Sequence, residues 1–204
     1  MTSLLIDGPE DAFATLVLAH GAGAGMEHDW MEQMTAALTE RGMRVVRFEF
    51  AYMHARREGR RPGPDRMPKL LDRYREVLAS QEAPVFLGGK SMGGRVATML
   101  ADEVACAGVV AFGYPFHPPG KPDKLRTAHL QVLQTPLLIV QGERDTFGTR
   151  EEVASYELAE TVQLAWMEDG DHSLKPRKKS GLTHEGHLAA AASHAAAFCQ
   201  ILTP

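Results

Sequence analysis

Short apolar runs alternate along this chain with longer stretches in which apolar residues recur every three or four positions. A continuous or strictly alternating apolar run predicts a strand, and the longer spacing predicts an amphipathic helix. The predicted strands are 4–6, 14–19, 44–50, 83–87, 108–113, 136–141 and 162–167. The predicted helices are 29–41, 68–80, 95–101, 149–159 and 185–201. Residues 51–66, rich in Arg, Gly and Pro, and the proline-rich segment 114–126 are predicted to be loops.

Alternating strands and helices predict an α/β fold with a mostly parallel sheet of about seven strands and helices on both faces. A chain of 204 residues without repeats or a linker fits one domain, residues 1–204. Ligands of such sheets bind beyond the carboxyl ends of the strands. Four loops of unusual composition are predicted at these ends: 20–25, 88–93, 142–145 and 169–172.

Composition narrows the function classes. A net charge of −4 gives no general reason to expect nucleic-acid binding, and no apolar run approaches the ~20 residues of a membrane span. The amino-terminal residues lack the basic and apolar segments of a signal peptide. Cys106 and Cys199 are too few for a disulfide framework and are predicted to be buried free thiols. These features predict a cytoplasmic protein.

A glycine-rich segment, residues 88–94, joins a predicted strand to a predicted helix. Within it Gly89, Ser91 and Gly93 form the pattern G-x-S-x-G, which in a strand–turn–helix context is typical of a nucleophile elbow. Glycines relieve the clash of this tight turn, which holds its serine in a strained conformation. The alternative interpretation is a glycine-rich turn with a capping serine. A phosphate-binding loop is excluded, because its motif requires glycine where Pro84 stands.

Two polar residues that follow later strands, Asp145 and His172, complete a candidate catalytic set with Ser91. A serine hydroxyl is a poor nucleophile until a base takes its proton, and a histidine with an ordinary pKa near ~6.5 suits that role. Asp145 would hold the imidazole tautomer and stabilise the imidazolium. The alternative role for Asp145 is the N-cap of the helix that follows. Asp169 and Asp171 compete for the acidic position but lie too close to His172 in sequence.

Four motifs carry a resemblance to a known family. They are His20–Gly25, Gly-Gly-Lys-Ser-Met-Gly-Gly-Arg at 88–95, Gln-Gly-Glu-Arg-Asp at 141–145 and Gly-Asp-His-Ser at 170–173. Together with the order Ser…Asp…His they resemble the α/β-hydrolases over nearly the whole chain. In particular they resemble a small cap-less bacterial group that is similar to eukaryotic testis-expressed and chromatin-complex homologues. The resemblance implies a three-layer α/β-hydrolase fold without a cap domain.

The resemblance implies two functions of different classes. The first is a serine hydrolase that cleaves an ester, thioester or amide through Ser91, His172 and Asp145 and an acyl-enzyme intermediate, with no metal or other cofactor. The second is a non-catalytic hydrolase-fold protein that serves as a binding or scaffold module. The intact order of the three residues favours the enzyme, although the fold alone does not decide.

Two backbone N–H groups are expected to stabilise the oxyanion that develops during catalysis. Met92, the residue after the nucleophile, would supply one, and Ala22 would supply the other, with Gly23 as the alternative. His20 is expected to orient this loop by hydrogen bonding rather than to act as a catalyst. Three other histidines are expected to be packed or solvated side chains rather than a metal site: His184, His187 and His194.

Positive side chains cluster in three segments that follow strands. They are Arg56, Arg57, Arg60, Arg61 and Arg66; Lys121, Lys124 and Arg126; and Lys175, Arg177, Lys178 and Lys179. With Lys90 beside the nucleophile, they are predicted to border one cleft and to favour a small acyl substrate that bears a carboxylate or phosphate. The alternative is that they are solvated surface charges. No aromatic residues interleave the arginines as a nucleic-acid stacking platform requires, and neither a nucleic-acid nor a membrane partner is predicted.

Overall fold

The computed structural model describes residues 4–82 and 85–203 and contains a seven-stranded sheet. Its strands are β1 (Leu5–Asp7), β2 (Ala14–Ala19), β3 (Met43–Phe48), β4 (Val85–Lys90), β5 (Gly108–Phe112), β6 (Leu137–Gly142) and β7 (Val162–Met167). They lie in the order β1-β3-β2-β4-β5-β6-β7, with β1 antiparallel to β3 and the other neighbours parallel. The predicted α/β fold with a mostly parallel sheet is confirmed.

Helices cover both faces of this sheet. They are α1 (Asp29–Thr39), α2 (Ala51–Arg57), α3 (Met67–Leu78), α4 (Met92–Leu100), α5 (Arg150–Val153) and α6 (His184–Leu202). Helices α1 and α6 pack on one face with Leu16 and Leu18, whereas α3 and α4 pack on the other with Val17 and Ala19. Successive strand residues point to opposite faces, and both faces are covered, so the central strands are mostly apolar. None of the described helices combines the length and apolarity that a bilayer-spanning helix requires.

Parallel pairing brings the predicted functional loops to one edge of the sheet. Strand β4 lies between β2 and β5, with Gly89 opposite Ala19 and Lys90 opposite Phe112. Strand β6 lies between β5 and β7. The loops that follow β2, β4, β6 and β7 therefore leave the same edge, which is where such sheets bind ligands.

The prediction of one continuous loop over 51–66 is wrong. Residues Ala51–Arg57 form helix α2, in which Tyr52, Met53 and Ala55 are buried. The glycines and prolines that indicated a loop all lie after this helix, and the helix itself contains good helix formers such as Ala, Met and Arg. Burial of one face then stabilises a helix too short to form alone.

The strand predicted at 83–87 extends further than expected. Strand β4 continues to Lys90, so the first three residues of the predicted loop 88–93 belong to the sheet. Pairing with a strand on each side continues the hydrogen-bonded ladder to this point. Ala83 and Pro84 lie outside the described residues.

The helix predicted over 149–159 is confined to α5. The chain turns after Val153, and Tyr156 and Leu158 then pack against the core. Apolar spacing there reflects this packing rather than a longer helix. The other predicted helices and strands are observed with small shifts at their ends.

Tyr74 of α3 is a buried polar anchor between helix and sheet. Its hydroxyl lies 2.5 Å from the Val17 carbonyl oxygen and accepts the Gly88 N–H at 2.8 Å. Tyr74→Phe removes these hydrogen bonds to buried backbone groups, so we expect the free energy of unfolding to fall by about 1–3 kcal/mol. Urea denaturation monitored by circular dichroism measures the change. Tyr156→Phe is the control, because that hydroxyl has no hydrogen bond within the described chain; equal losses in both variants would contradict the prediction.

Candidate active site

Ser91 occupies the turn between β4 and α4. Its backbone has φ 52° and ψ −115°, a conformation that is strained for a residue with a side chain. The Ser91 N–H donates to the Phe112 carbonyl at 2.9 Å, and the Ser91 carbonyl accepts from Arg95 N–H at 3.1 Å. The turn is therefore fixed to the sheet on one side and to the helix on the other.

Two glycines make this turn sterically possible. A Cβ atom on Gly89 would lie 2.2 Å from the Gly93 carbonyl carbon, and one on Gly93 would lie 2.5 Å from the Ala19 carbonyl oxygen. Contacts this short with backbone atoms cannot be relieved by a side-chain rotation. The helix consequently approaches the sheet closely enough to present the Ser91 side chain at the sheet edge, as the G-x-S-x-G pattern predicts.

Ser91, His172 and Asp145 form a continuous chain of hydrogen bonds. His172 Nε2 lies 2.8 Å from Ser91 Oγ, and His172 Nδ1 lies 2.8 Å from Asp145 Oδ2. A carboxylate only accepts hydrogen bonds, so Nδ1 carries a proton and Nε2 is left to accept the Ser91 hydroxyl. The structure thus brings together the three residues of the predicted catalytic set.

The environment of His172 favours its neutral form. Burial lowers the pKa of His172 below its ordinary value, and the positive charge of Lys90 acts in the same direction. The hydrogen bond and the negative charge of Asp145 oppose this shift. A neutral imidazole with a free Nε2 lone pair can accept a proton from Ser91, which is what a general base requires.

Asp145 is held in place by groups other than His172. It is fully buried, and its carboxylate accepts from Phe147 N–H and from the Gln141 side-chain amide, both at 2.9 Å. The alternative role of helix N-cap is excluded, because α5 begins at Arg150 and its N-cap is Thr149. The carboxylate is therefore oriented toward His172 by its own loop.

The two competing carboxylates support the loop that carries His172. Asp169 pairs with Arg144 and Arg177, and the Arg177 hydrogen bond is the main reason that the pKa of Asp169 is lowered to about 2. Asp171 accepts from the N–H groups of Ser173 at 2.8 Å and Lys175 at 3.0 Å. Both carboxylates are thus engaged away from the His172 ring.

The loop after β2 lies against the nucleophile. A Cβ atom on Gly21 would lie 3.6 Å from the Ser91 Cβ. The N–H groups of Ala22 and Met92 have no acceptor within residues 4–82 and 85–203, and both residues line a cavity at Ser91. Gly23, the alternative to Ala22, lines a second cavity at Ser91. Two backbone donors are thereby available beside the serine.

His20 and Tyr52 hold this loop from behind. His20 Nε2 accepts from Phe50 N–H at 3.2 Å, so its Nδ1 donates to the Gly21 carbonyl at 2.7 Å. Burial lowers the pKa of His20, which keeps the ring neutral in this arrangement. The Tyr52 hydroxyl lies 3.2 Å from the Gly21 oxygen and 3.1 Å from the Ala22 oxygen. His20 therefore orients the loop as expected. The role of Tyr52 in holding the loop was not predicted, because Tyr52 lies on helix α2, which was expected to be a loop.

Lys90 and Phe147 contact His172 in ways that the sequence did not indicate. Lys90 is not a rim cation as predicted: its side chain is buried, donates to the His172 carbonyl oxygen and lies 5.4 Å from the Trp30 ring centre. Burial lowers the pKa of Lys90 to about 8. The Phe147 ring stacks on the His172 imidazole at 4.1 Å. The only sequence signal for these residues was their position beside Ser91 and Asp145.

Two cavities flank Ser91. The first, of about 300 Å³, includes Trp30, Met31 and His172 in its lining. The second, of about 390 Å³, includes Met92 and Arg95. Ala22, Ser91 and Phe147 line both cavities.

The three cationic segments do not border one cleft as predicted. Of their twelve side chains, Arg126 lines a cavity at Ser91, whereas Arg56, Arg60 and Arg61 line other cavities. Arg57 pairs with Glu27 and Glu49, and Arg177 pairs with Asp169. Nearby carboxylates, some of them distant in sequence, thus neutralise part of the predicted positive rim.

The remaining histidines and cysteines lie in other surroundings. His187 is buried, with Nδ1 2.7 Å from the Leu174 oxygen, whereas His194 is exposed. Within the described ranges no group of three or more His, Cys, Asp or Glu side chains is arranged to hold a metal ion. Cys199 is buried and Cys106 is half-buried, and both are free thiols.

Comparison with known proteins identifies the same architecture. The family model described as an alpha/beta hydrolase domain matches residues 12–200. An alpha-beta serine hydrolase homologue from Coxiella burnetii has a TM-score of 0.71 and 20% identity, over 95% of this chain and 89% of that chain. The esterase domain of a Rhodothermus marinus protein has a TM-score of 0.72 and 18% identity, over 98% and 92%.

A third solved structure lacks a lid. This serine hydrolase from Xanthomonas campestris has a TM-score of 0.65 and 20% identity, over 94% of this chain and 88% of that chain. At these identities the likeness shows a shared fold. The match over nearly the whole length of each chain agrees with the absence of a cap domain among the described residues.

The charge of Lys90 is expected to depress the pKa of His172. Lys90→Met should therefore raise that pKa, as measured by NMR titration of the histidine ring, because the cation disfavours the imidazolium. Lys175→Met, which removes an exposed cation from the His172 loop, is the control and should change it little. A lower His172 pKa in Lys90→Met, or equal shifts in both variants, would contradict the prediction.

Burial lowers the pKa of His172 in the folded chain below its unfolded value of ~6.5. The free energy of unfolding should therefore decrease as the pH falls through ~6.5, because the unfolded chain binds the proton more readily.

Proposed function

We propose that this chain, which belongs to the α/β-hydrolase domain family, is a serine hydrolase that cleaves an ester, thioester or amide through an acyl-enzyme on Ser91. The observation that carries the proposal is the hydrogen-bonded chain from Asp145 through His172 to Ser91, with both links at 2.8 Å. The strained backbone of Ser91 and the stacked Phe147 support it, because both belong to a site held in one geometry.

In the first half-reaction Ser91 Oγ attacks the acyl carbon while its proton passes to His172 Nε2. The Met92 N–H and the Ala22 N–H would donate to the resulting oxyanion. The tetrahedral intermediate then collapses, and the bond to the leaving group breaks as His172 returns the proton to that group. Asp145 stabilises the imidazolium throughout, since its carboxylate accepts from Nδ1.

In the second half-reaction water replaces the leaving group. The water oxygen attacks the acyl carbon while His172 takes a proton from the water. The bond from the acyl carbon to Ser91 Oγ then breaks, Oγ regains the proton from His172, and the acid product leaves. The Phe147 ring covers one face of the imidazole, and Nε2 at the ring edge stays in contact with Ser91 Oγ. Two cavities that open beside Ser91 suit a small substrate with an acyl part on one side and a leaving group on the other.

The alternative of a non-catalytic binding or scaffold protein makes a different prediction for the same site. A scaffold has no need of an activated serine, so its Ser91 would not react with an electrophile. Buried Asp145 and the lowered pKa of His172 favour the enzyme, because both groups maintain a neutral base against the serine. The cytoplasmic location expected from the sequence stays a prediction.

Ser91→Ala is expected to abolish labelling by a fluorophosphonate probe and to lower kcat/KM for 4-nitrophenyl acetate by at least ~10³-fold, because the nucleophile is removed. Ser173→Ala is the matched control: Ser173 lines the same cavity, and its hydroxyl has no hydrogen bond in the described ranges. Thermal unfolding of each variant checks that the fold is intact. A folded wild-type chain that neither labels nor turns over the ester would support the scaffold instead.

Ala22→Pro tests the second oxyanion donor, since proline has no backbone N–H. We expect kcat to fall by ~10²–10³-fold with a smaller change in KM, because the lost hydrogen bond is made chiefly in the transition state. Ala22→Gly retains the N–H and should keep most of the activity. If Ala22→Pro unfolds at the temperature of the parent and keeps its kcat, the donor is Gly23 or another group.

A further inference from the structure

We propose that Arg95 and Arg126 form a binding site for a carboxylate at the far end of the substrate's acyl chain. The proposal rests on the proposed function for the identity of the reacting atoms. It names a substrate class, esters or thioesters of acyl groups that carry a second, free carboxylate. The observations that carry it are the position of the two guanidinium groups, their lack of carboxylate partners and the division of the site into two cavities.

Both arginines line the cavity of about 390 Å³ that also contains Ser91. Arg95 stands one helical turn after Ser91 on α4, and its N–H donates to the Ser91 carbonyl at 3.1 Å. The backbone of Arg126 is fixed to the segment 114–116: its N–H donates to the Phe116 carbonyl at 2.8 Å, and its carbonyl accepts from Tyr114 Oη at 2.9 Å. Two separate parts of the fold, each fixed by backbone hydrogen bonds, thus contribute an arginine to the lining of one cavity.

Neither guanidinium has an ion pair within residues 4–82 and 85–203. Arg95 Nε is buried and has no hydrogen-bond partner there. Arg47, whose buried Nε also lacks a partner, has an ion pair with Asp7, and half-buried Arg73 has one with Glu76. A buried donor without a partner costs free energy unless a ligand satisfies it.

The two cations also act on each other. Burial and the charge of Arg95 lower the pKa of Arg126. The same two causes lower the pKa of nearby His129 to about 4, so His129 is neutral. The cavity contains one carboxylate, Asp65, but it already accepts from Lys69 Nζ at 2.8 Å and Tyr52 N–H at 2.9 Å. An anion placed between the arginines would relieve their repulsion and supply the missing acceptors.

The position of His172 decides which part of the substrate reaches the arginines. His172 must protonate the leaving group, and it lines the smaller cavity, so the leaving group lies on that side. The arginine cavity contains Met92, whose N–H would bind the oxyanion, and so receives the acyl chain. Met67, Leu70 and Phe147 provide apolar walls for methylene groups between the ester and the carboxylate.

Paired substrates of equal acyl length test the site. The 4-nitrophenyl half-esters of glutarate and adipate carry a free carboxylate. Methylation of that carboxylate gives the neutral control substrates. The rate of uncatalysed hydrolysis is subtracted for each compound. We expect a higher kcat/KM for the anionic member of at least one pair. Arg126→Gln and Arg95→Gln should each lower that value by roughly 10- to 100-fold, the loss typical of a charge-assisted hydrogen bond, and change the neutral ester less than about threefold.

Lys124→Gln is the matched control, because Lys124 is an exposed cation two residues from Arg126 and is not part of the cavity lining. A general field of surface charge would make this variant as harmful as Arg126→Gln. If Arg95 or Arg126 mainly stabilised the fold, its replacement by Gln would lower the unfolding temperature. If the two cations repel each other, the replacement should leave that temperature unchanged or raise it in the absence of ligand.

Binding without turnover separates this proposal from the proposed function. Adipate should raise the unfolding temperature of Ser91→Ala and should not raise that of Ser91→Ala combined with Arg126→Gln. If neither ester is turned over but this difference is seen, the hydrolase assignment fails and the carboxylate site stands. Equal kcat/KM for anionic and neutral esters in the wild type and both arginine variants, with no stabilisation by adipate, would overturn the carboxylate site and leave the hydrolase assignment intact.

Discussion

The close approach of α4 to the sheet is the constraint on which the rest of the site depends. Gly93 meets the Ala19 carbonyl of β2 and Gly89 meets Gly93, so backbone packs on backbone where side chains would ordinarily separate them. The sheet ladder on one side and the first helical turn on the other determine the backbone of Ser91 so completely that its strained φ persists. The positions of Ser91 Oγ, the Met92 N–H and the Arg95 side chain all follow from this one contact.

Buried charge organises the second half of the site. Asp145 is wholly buried and Lys90 nearly so, and the loop that carries His172 lies between them. Removing charges from water costs free energy, but in a low-dielectric interior their hydrogen bonds have strict directions. Asp145 therefore orients the imidazole through Nδ1, while Lys90 holds the backbone of the same residue. Their opposite charges act on the His172 pKa in opposite directions, and burial leaves the ring neutral.

Local pairing, rather than the number of cations, decides which positive charges can act on a substrate. Arg57 and Arg177 belong to the basic segments of the sequence, yet carboxylates of other loops neutralise them. Arg95 belongs to none of those segments, lines a cavity at Ser91, and has a buried Nε without a hydrogen-bond partner in the described chain. Interactions between exposed charges are largely screened beyond about a Debye length, whereas those of a partly buried arginine are screened less.

The amino-acid sequence by itself determined the layered α/β fold, because continuous apolar runs must be covered on both faces and helical spacing supplies the cover. It also placed Ser91, Asp145 and His172 after strands whose ends meet at one sheet edge. Only the tertiary structure decided which groups touch them. Helix α2 forms because Tyr52 and Met53 are buried, Lys90 turns inward because His172 offers a carbonyl, and Phe147 stacks where two loops converge. These contacts join residues far apart in the chain, and no local pattern encodes a partner that the chain reaches only after folding.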